Sequence, residues 1–407
     1  MGAKKESRES GSAGFVSFAL EFLRKNAMVV ALAAAMLLFQ FLLMNAGKGS
    51  IFTPANISNL FVQNAYVIIL AVGMMLCIVS SGNIDLSVGS VVVLVSAVVA
   101  TLISPIAMGL PIWIGIVAGL LLGLIIGAWQ GFWIAYVRIP AFIVTLAGML
   151  LFRGVAQVVL QGRTIGPFTD SFQRIFQGYL PDGARAGSAF VPIMIVAGIA
   201  TAVFIASQIY SRLRARKADA EVGNVLMFVL RLLAFGAFIL LIGYFFASNK
   251  GIPTPFLIVA FVVAIYSYLT QRTVPGRHLY AMGGNEKAAR LSGINTNKML
   301  FFVYMNMGLL AGVAALVTSA RLNGASPQAG TGYELDAIAS NFIGGVSAFG
   351  GIGRVGGVVI GALFMGVLNM GMSLMGIEAT WQMAVKGLVL LVAVVFDVVS
   401  KRQAKTA

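Results

Sequence analysis

Histidine and cysteine are nearly missing from this 407-residue chain: His278 and Cys77 are the only examples of each. One histidine, set in a basic stretch, cannot build a histidine metal cluster or a Ser-His-Asp triad, so no metal ligand set is expected. One cysteine inside an apolar run excludes a disulfide framework and reads as a small buried hydrophobe. Charge is also scarce. Charged residues make up 10% of the chain and apolar residues 59%, against roughly a quarter charged in a soluble domain. No G-x-x-x-x-G-K-[ST] loop is present, since the only Gly-Lys pair, Gly47-Lys48, is followed by Gly49; the chain is not expected to hold ATP or another cofactor itself. Leu291-Ser292-Gly293 lacks the rest of an ATPase signature and reads as coincidence.

What is abundant is apolar sequence in runs long enough to cross a bilayer, about 20 residues each. Twelve segments qualify: Asn26–Asn45, Val62–Ser80, Ser87–Ser104, Pro111–Val137, Pro140–Leu160, Phe190–Tyr210, Val225–Ala247, Ile252–Thr270, Lys298–Ala320, Asp336–Phe349, Val355–Gly376 and Trp381–Val399. Backbone polar groups in lipid must be satisfied internally, so these are expected to be helices of an all-α polytopic membrane protein. The third is short and starts in a polar turn. The tenth is short and glycine-rich, and a re-entrant segment is an alternative to a full crossing. Residues 1–25 form a polar tail with no cleavable signal expected, 26–399 the membrane domain, and 400–407 a basic tail. Phe15, Phe18, Ala19, Phe22 and Leu23 fall on one helical face; an interfacial helix and an extended start to the first span both fit that spacing.

The formal net charge of +15 could suggest nucleic acid, but the basic residues sit in short clusters between apolar runs, the pattern that sets membrane orientation. With the N-terminus inside, nineteen of the 28 Lys and Arg fall on the inner side and six on the outer. Both termini are therefore expected in the cytoplasm, with no nucleic-acid partner. Two glycine stripes, Gly119-Gly123-Gly127-Gly131 and Gly353-Gly357-Gly361, allow close helix contact, expected within one subunit rather than between two.

Polar residues inside apolar surroundings are candidates for a solute path. Asp85, in Gly82-Asn83-Ile84-Asp85-Leu86-Ser87, has almost no loop around it; it either caps the third span or touches solute. Glu334 and Asp336 suit the first turn of the tenth span. Arg153 snorkels or faces a wet cavity with Gln157. Asn64, Asn83, Phe142, Thr145 and Asn341 complete the candidate path with Asp85 and Arg153, since a pore for a neutral hydroxylated solute uses such groups sparingly.

The most distinctive stretch lies at 271–297, between the eighth and ninth spans. Pro275-Gly276 reads as a turn. Asn285 is a good N-cap for a short helix over 286–291, which Gly293 can end. A helix of under two turns is unstable alone and needs a docking partner.

That loop, together with Gly82-Asn83-Ile84-Asp85-Leu86-Ser87-Val88-Gly89-Ser90, Ile139-Pro140-Ala141-Phe142-Ile143-Val144-Thr145-Leu146, Ile343-Gly344-Gly345-Val346-Ser347, Gly350-Gly351-Ile352-Gly353, and Trp381-Gln382 with Lys386-Gly387, resembles the membrane permeases of bacterial ABC importers for monosaccharides, of the ribose, xylose and galactose type. The resemblance covers most of the chain. It implies a pore-forming subunit in the bacterial inner membrane, paired with a second copy, served by a periplasmic sugar-binding protein and driven by ATP in a separate cytoplasmic ATPase. It places ATPase coupling on Gly284, Asn285, Glu286, Ala288, Ala289 and Gly293. A two-span hairpin at 190–247, ahead of Gly251-Ile252-Pro253-Thr254-Pro255, departs from the shorter ribose-type pattern and resembles the xylose or multiple-sugar branch. The competing class is a secondary active sugar transporter, which would couple to an ion gradient through buried ionisable groups.

Overall fold

A computed structural model describes residues 27–183, 185–217 and 225–406; the amphipathic stretch Phe15–Leu23 lies outside them. In chain order the helices are α1 (Ala27–Asn45), α2 (Pro54–Ser81), α3 (Val88–Ile103), α4 (Ile112–Ala135), α5 (Ala141–Leu160), α6 (Asp170–Gln177), α7 (Phe190–Lys217), α8 (Val225–Ser248), α9 (Thr254–Arg272), α10 (Val274–Gly284), α11 (Glu286–Leu291), α12 (Thr296–Leu322), α13 (Tyr333–Ile343), α14 (Val355–Leu374) and α15 (Ala379–Thr406). The only sheet among the described residues pairs β1 (Tyr179–Leu180) with β2 (Ile252–Pro253), antiparallel. Among the described residues, nine helices are long and apolar enough to cross a membrane.

Each of the twelve expected segments contains a helix, but that of the tenth is too short to span by itself. Eleven residues of α13 reach about 16 Å at 1.5 Å per residue. The helix stops because Gly344 and Gly345 follow, the latter at φ 77°. The chain then continues through 344–354 as irregular backbone. Such backbone is tolerated at membrane depth only when protein satisfies it, and here it is satisfied. Val346 N donates to Asn341 O (2.9 Å), Ser347 N to Ile352 O (2.9 Å) and Gly351 N to Val79 O (2.8 Å).

The centre of the bundle is α2. From Ala65 to Ser80 every residue of it is buried, Cys77 included. A membrane helix that is apolar on every side can be placed in the protein interior rather than against lipid. Its neighbours include α12, α13 and α14. Thr53 caps its start, and Gly82 at φ 69° ends it.

Both glycine stripes pack within this one chain. A Cβ on Gly127 would sit 2.3 Å from Tyr304 O, and one on Gly308 would sit 2.2 Å from Gly123 O, so α4 and α12 touch backbone to backbone. Gly357 and Gly361 do the same against Gly344 O and Ser340 O. Gly127→Val is expected to destabilise the bundle by about 1–3 kcal/mol, read as an earlier midpoint in thermal unfolding in detergent. A wild-type midpoint would remove the α4–α12 contact as a source of stability.

Two local features differ from expectation. Pro275-Gly276 is not a turn but the first turn of α10. Thr273 caps that helix, its hydroxyl accepting from Gly276 N (3.3 Å), and proline in a first turn forfeits no hydrogen bond. The surface helix α6 was not foreseen. Phe168, Phe172 and Phe176 recur every fourth residue with ring centroids 4.7 and 4.9 Å apart, and all three are buried. That spacing was visible in the sequence.

Candidate functional site

The ends of α12 define two ends of the bundle. The near end carries α10 and α11; the far end carries α6 and the strand pair. At the near end, the short helix forms as its capping residues dictate. Asn285 Oδ1 accepts from Ala288 N at 3.0 Å, and Gly293, at φ 85°, lets the chain reverse into Asn295, whose side chain caps α12 through Lys298 N (3.0 Å).

A clamp from elsewhere in the chain holds α11 in place. Arg138, in the α4–α5 loop, donates to Glu286 Oε1 at 3.0 Å, to Thr296 Oγ1 at 3.3 Å and to Asn297 Oδ1. Arg290 donates to the same Glu286 oxygen at 3.1 Å. Partial burial opposes the Glu286 charge, but Arg138, Thr296 and Arg290 outweigh it and hold the carboxyl below its ordinary range. A depressed carboxylate pKa stabilises at pH values above the unfolded one and is lost as pH falls through the folded one. Amide-exchange protection of 286–291 is therefore expected to stay level above the ordinary glutamate value of 4.5 and to fall below it. The link is exposed, so the effect is small. Arg138→Gln should weaken that pH dependence, with Arg290 still beside Glu286; protection that falls with acid as steeply as in the wild type would place its cause elsewhere.

The six residues that the resemblance singles out have different settings. Gly284, Asn285, Ala288 and Gly293 are exposed, Glu286 is half-buried within the clamp, and Ala289 is buried against the body. Ala289 thus seats the helix and does not face outward. Two residues were missed. Arg138 gave no signal, because its partner lies 148 positions away. Leu291 did give one: it ends a six-residue helix and is 90% exposed, an apolar side chain on a surface that expects a partner.

The loop joins the interior through glycine. A Cβ on Gly283 would stand 1.8 Å from Val79 O and 2.6 Å from Gly351 N. Tyr280 Oη donates to Gly353 O at 2.7 Å. So α10 rests directly on the end of α2 and on the 344–354 loop that continues α13.

Deeper in, a polar chain links Asp85, Ser87 and Gln130. Gln130 Nε2 donates to Ser87 Oγ (2.6 Å), which donates to Asp85 Oδ1 (2.7 Å); Ser87 N donates to the same oxygen (2.8 Å). Asp85 therefore satisfies backbone just ahead of α3, close to the capping role expected of it. Asn341, fully buried, donates to Ala71 O (2.9 Å) and Ala337 O (2.8 Å), tying α13 to α2. Asn64 is buried and donates to Leu60 O of its own helix (2.8 Å). Thr145 is buried, Asn83 half-buried, and Phe142 60% exposed on the outside of α5. Arg153 is half-buried and faces protein polar groups, with Thr331 Oγ1 at 3.2 Å and Pro327 O at 3.4 Å.

A buried ion pair was also missed. Lys386 Nζ of α15 lies 3.0 Å from Asp336 Oδ1 of α13. Tyr66 Oη donates to Asp336 Oδ2 at 3.0 Å, and Tyr66 stacks on Tyr333 with centroids 3.8 Å apart. The pair fastens the half-helix to the last helix of the bundle.

These features describe a many-helix membrane protein in which a clamped surface helix, α11, is joined through α10 and the 344–354 loop to the half-length helix α13. The chain belongs to the family described as branched-chain amino acid transport system / permease component, whose model matches residues 56–394. It is 40% identical over 376 residues to the xylose transport system permease protein XylH of Haemophilus influenzae, covering 92% of this chain and 96% of that one. To the XylH of Escherichia coli it is 39% identical over 399 residues, 96% of each chain. The ribose import permease protein RbsC of Escherichia coli is 36% identical over 353 residues, 85% of this chain and 86% of its own. No solved structure matches the chain.

Proposed function

We propose that this chain is the pore-forming permease of an ATP-driven, binding-protein-dependent monosaccharide importer, with xylose as the first substrate to test. The observation that carries the ATP-driven reading is α11: capped by Asn285, clamped by Arg138, and presenting Leu291 to a partner. A docking helix with its own clamp suits a device that receives force from outside the chain. End-to-end similarity to two xylose permeases supports the pentose. The ribose permease is similar over a smaller share of the chain, which ranks ribose second.

In this reading the near end faces the cytoplasm of a bacterial inner membrane, as the Lys and Arg distribution supports. A cytoplasmic ATPase seats α11, and a periplasmic binding protein delivers sugar to the far end. Two copies of the chain enclose the path. Phe142, exposed on α5, and Arg153 are then the first path positions to test. The chain contributes no ATP site of its own.

Leu291→Asp tests the docking claim. The side chain supports no contact within the subunit, so folding should be unaffected, within about 0.5 kcal/mol. Copurification with the ATPase and ATP-dependent xylose uptake should both be lost. Unchanged uptake would remove Leu291 from the docking surface.

A further inference from the structure

Beyond the contact between its own two helices, the hairpin α7–α8 packs through α8 against α2 and β2. It touches the body at its far-end base, where Phe246 packs with Phe61 and Phe256 at ring-centroid distances of 5.7 and 5.0 Å and Ala189, Ile193 and Ala247 are buried. Between its own helices it closes through small residues, a Cβ on Gly243 lying 2.4 Å from Ala197 Cβ. Its remaining faces are apolar and exposed, from Val191 and Ile195 on α7 to Phe238 and Leu241 on α8, and in a membrane they meet lipid tails.

The near-end turn of α7 is basic. Arg214, Arg216 and Lys217 are exposed, and Arg212 lies over the Phe228 ring at 4.4 Å, which holds the end of α7 to the start of α8. Arg231 is the second, separate observation. It sits within apolar α8, six residues on from Val225, or about 9 Å along the axis. It is exposed on a lipid-facing helix. Among the described residues, no carboxylate pairs with Arg214, Arg216, Lys217 or Arg231. Its guanidinium lies over the Phe235 ring, 5.8 Å from the centroid; an arginine on a lipid-facing helix is costly without a counter-charge, and its long stem is able to reach the headgroup level.

We infer that the basic near end of the hairpin is a binding site for anionic phospholipid headgroups, with Arg231 and the 214–217 cluster gripping one phosphate-bearing lipid layer. Guanidinium groups take phosphate oxygens in a bidentate fork, and basic groups beside a membrane helix recruit anionic lipid at about fivefold per residue. The hairpin is thereby a lipid anchor on the side of the permease, independent of sugar path and ATPase.

The test uses the full-length permease in nanodiscs of equal phosphatidylglycerol and phosphatidylcholine, with retained lipid counted by native mass spectrometry. Wild type should hold phosphatidylglycerol over phosphatidylcholine. Arg231→Leu should reduce that preference about fivefold; it suits a lipid-facing position and leaves the 212–217 charges that orient the hairpin. The variant Arg214→Gln, Arg216→Gln, Lys217→Gln should reduce it further. Equal retention of the two lipids by wild type, or an unchanged preference in both variants, overturns the inference. Loss of the bound lipid to millimolar inorganic phosphate overturns it in favour of a free-phosphate site. Cross-linking of position 214 to the ATPase in phosphatidylcholine alone overturns it in favour of a protein partner.

Discussion

Lys386→Met is expected to destabilise the permease by about 3–5 kcal/mol, the usual consequence of leaving one member of a buried ion pair alone. Asp336 is 1% exposed, and without Lys386 its carboxylate loses its cationic partner and keeps neutral donors such as Tyr66 Oη, at 3.0 Å. The partner change matters more than the loss of a contact. Adding Asp336→Leu to Lys386→Met removes the stranded charge and should restore most of the stability. The pair joins α13 to α15, so chymotrypsin cleavage within 344–354 should quicken in the single variant and slow again in the double one. A single variant as stable as wild type, by thermal unfolding in detergent, would remove the pair from the account of what holds the half-helix.

Gly283→Ala is expected to abolish uptake while Gly284→Ala does not. The two glycines are adjacent, and neither has the positive φ that alanine resists. Only the surroundings differ. At 283 the added carbon meets Val79 O at 1.8 Å and Gly351 N at 2.6 Å, both backbone, which cannot swing aside; at 284 nothing lies within 4 Å. Overpacking of this kind costs about 1–3 kcal/mol, and it is concentrated where α10 rests on the 344–354 loop. We expect the Gly283 variant to insert and fold with a lowered unfolding midpoint, to bind the ATPase through an intact α11, and to fail in xylose uptake. Normal uptake by that variant would show that the joint transmits nothing.

The helices were readable in the sequence because lipid imposes one rule on all of them, twenty apolar residues in a row. The rule failed at the tenth segment, where protein rather than helix geometry satisfies the backbone around Gly344–Gly351. Local chemistry was readable too: Asn285 caps α11 and Gly293 releases it, since a cap needs only residues within one turn. Arg138 to Glu286 and Asp336 to Lys386 were not readable. Each joins helices far apart in the chain, and a single sequence carries no record of which helices meet. The candidate path shows the same boundary. Asn64, Asp85 and Asn341 looked like polar residues awaiting solute, but hydrogen-bond partners in the folded chain already engage them.

Asp336 and Lys386, like Asp85, are interior ionisable groups of the kind that would suit a secondary transporter, because buried ionisable groups are how such proteins couple to ions. Their mutual ion pair gives them a structural role instead. The measurement that tests the central claim most directly is xylose uptake into vesicles holding this permease with its ATPase and binding protein, after an ionophore has collapsed the proton and sodium gradients. The account predicts that uptake continues, follows ATP, and stops in the Leu291→Asp variant. Uptake that dies with the gradients and ignores ATP would contradict it.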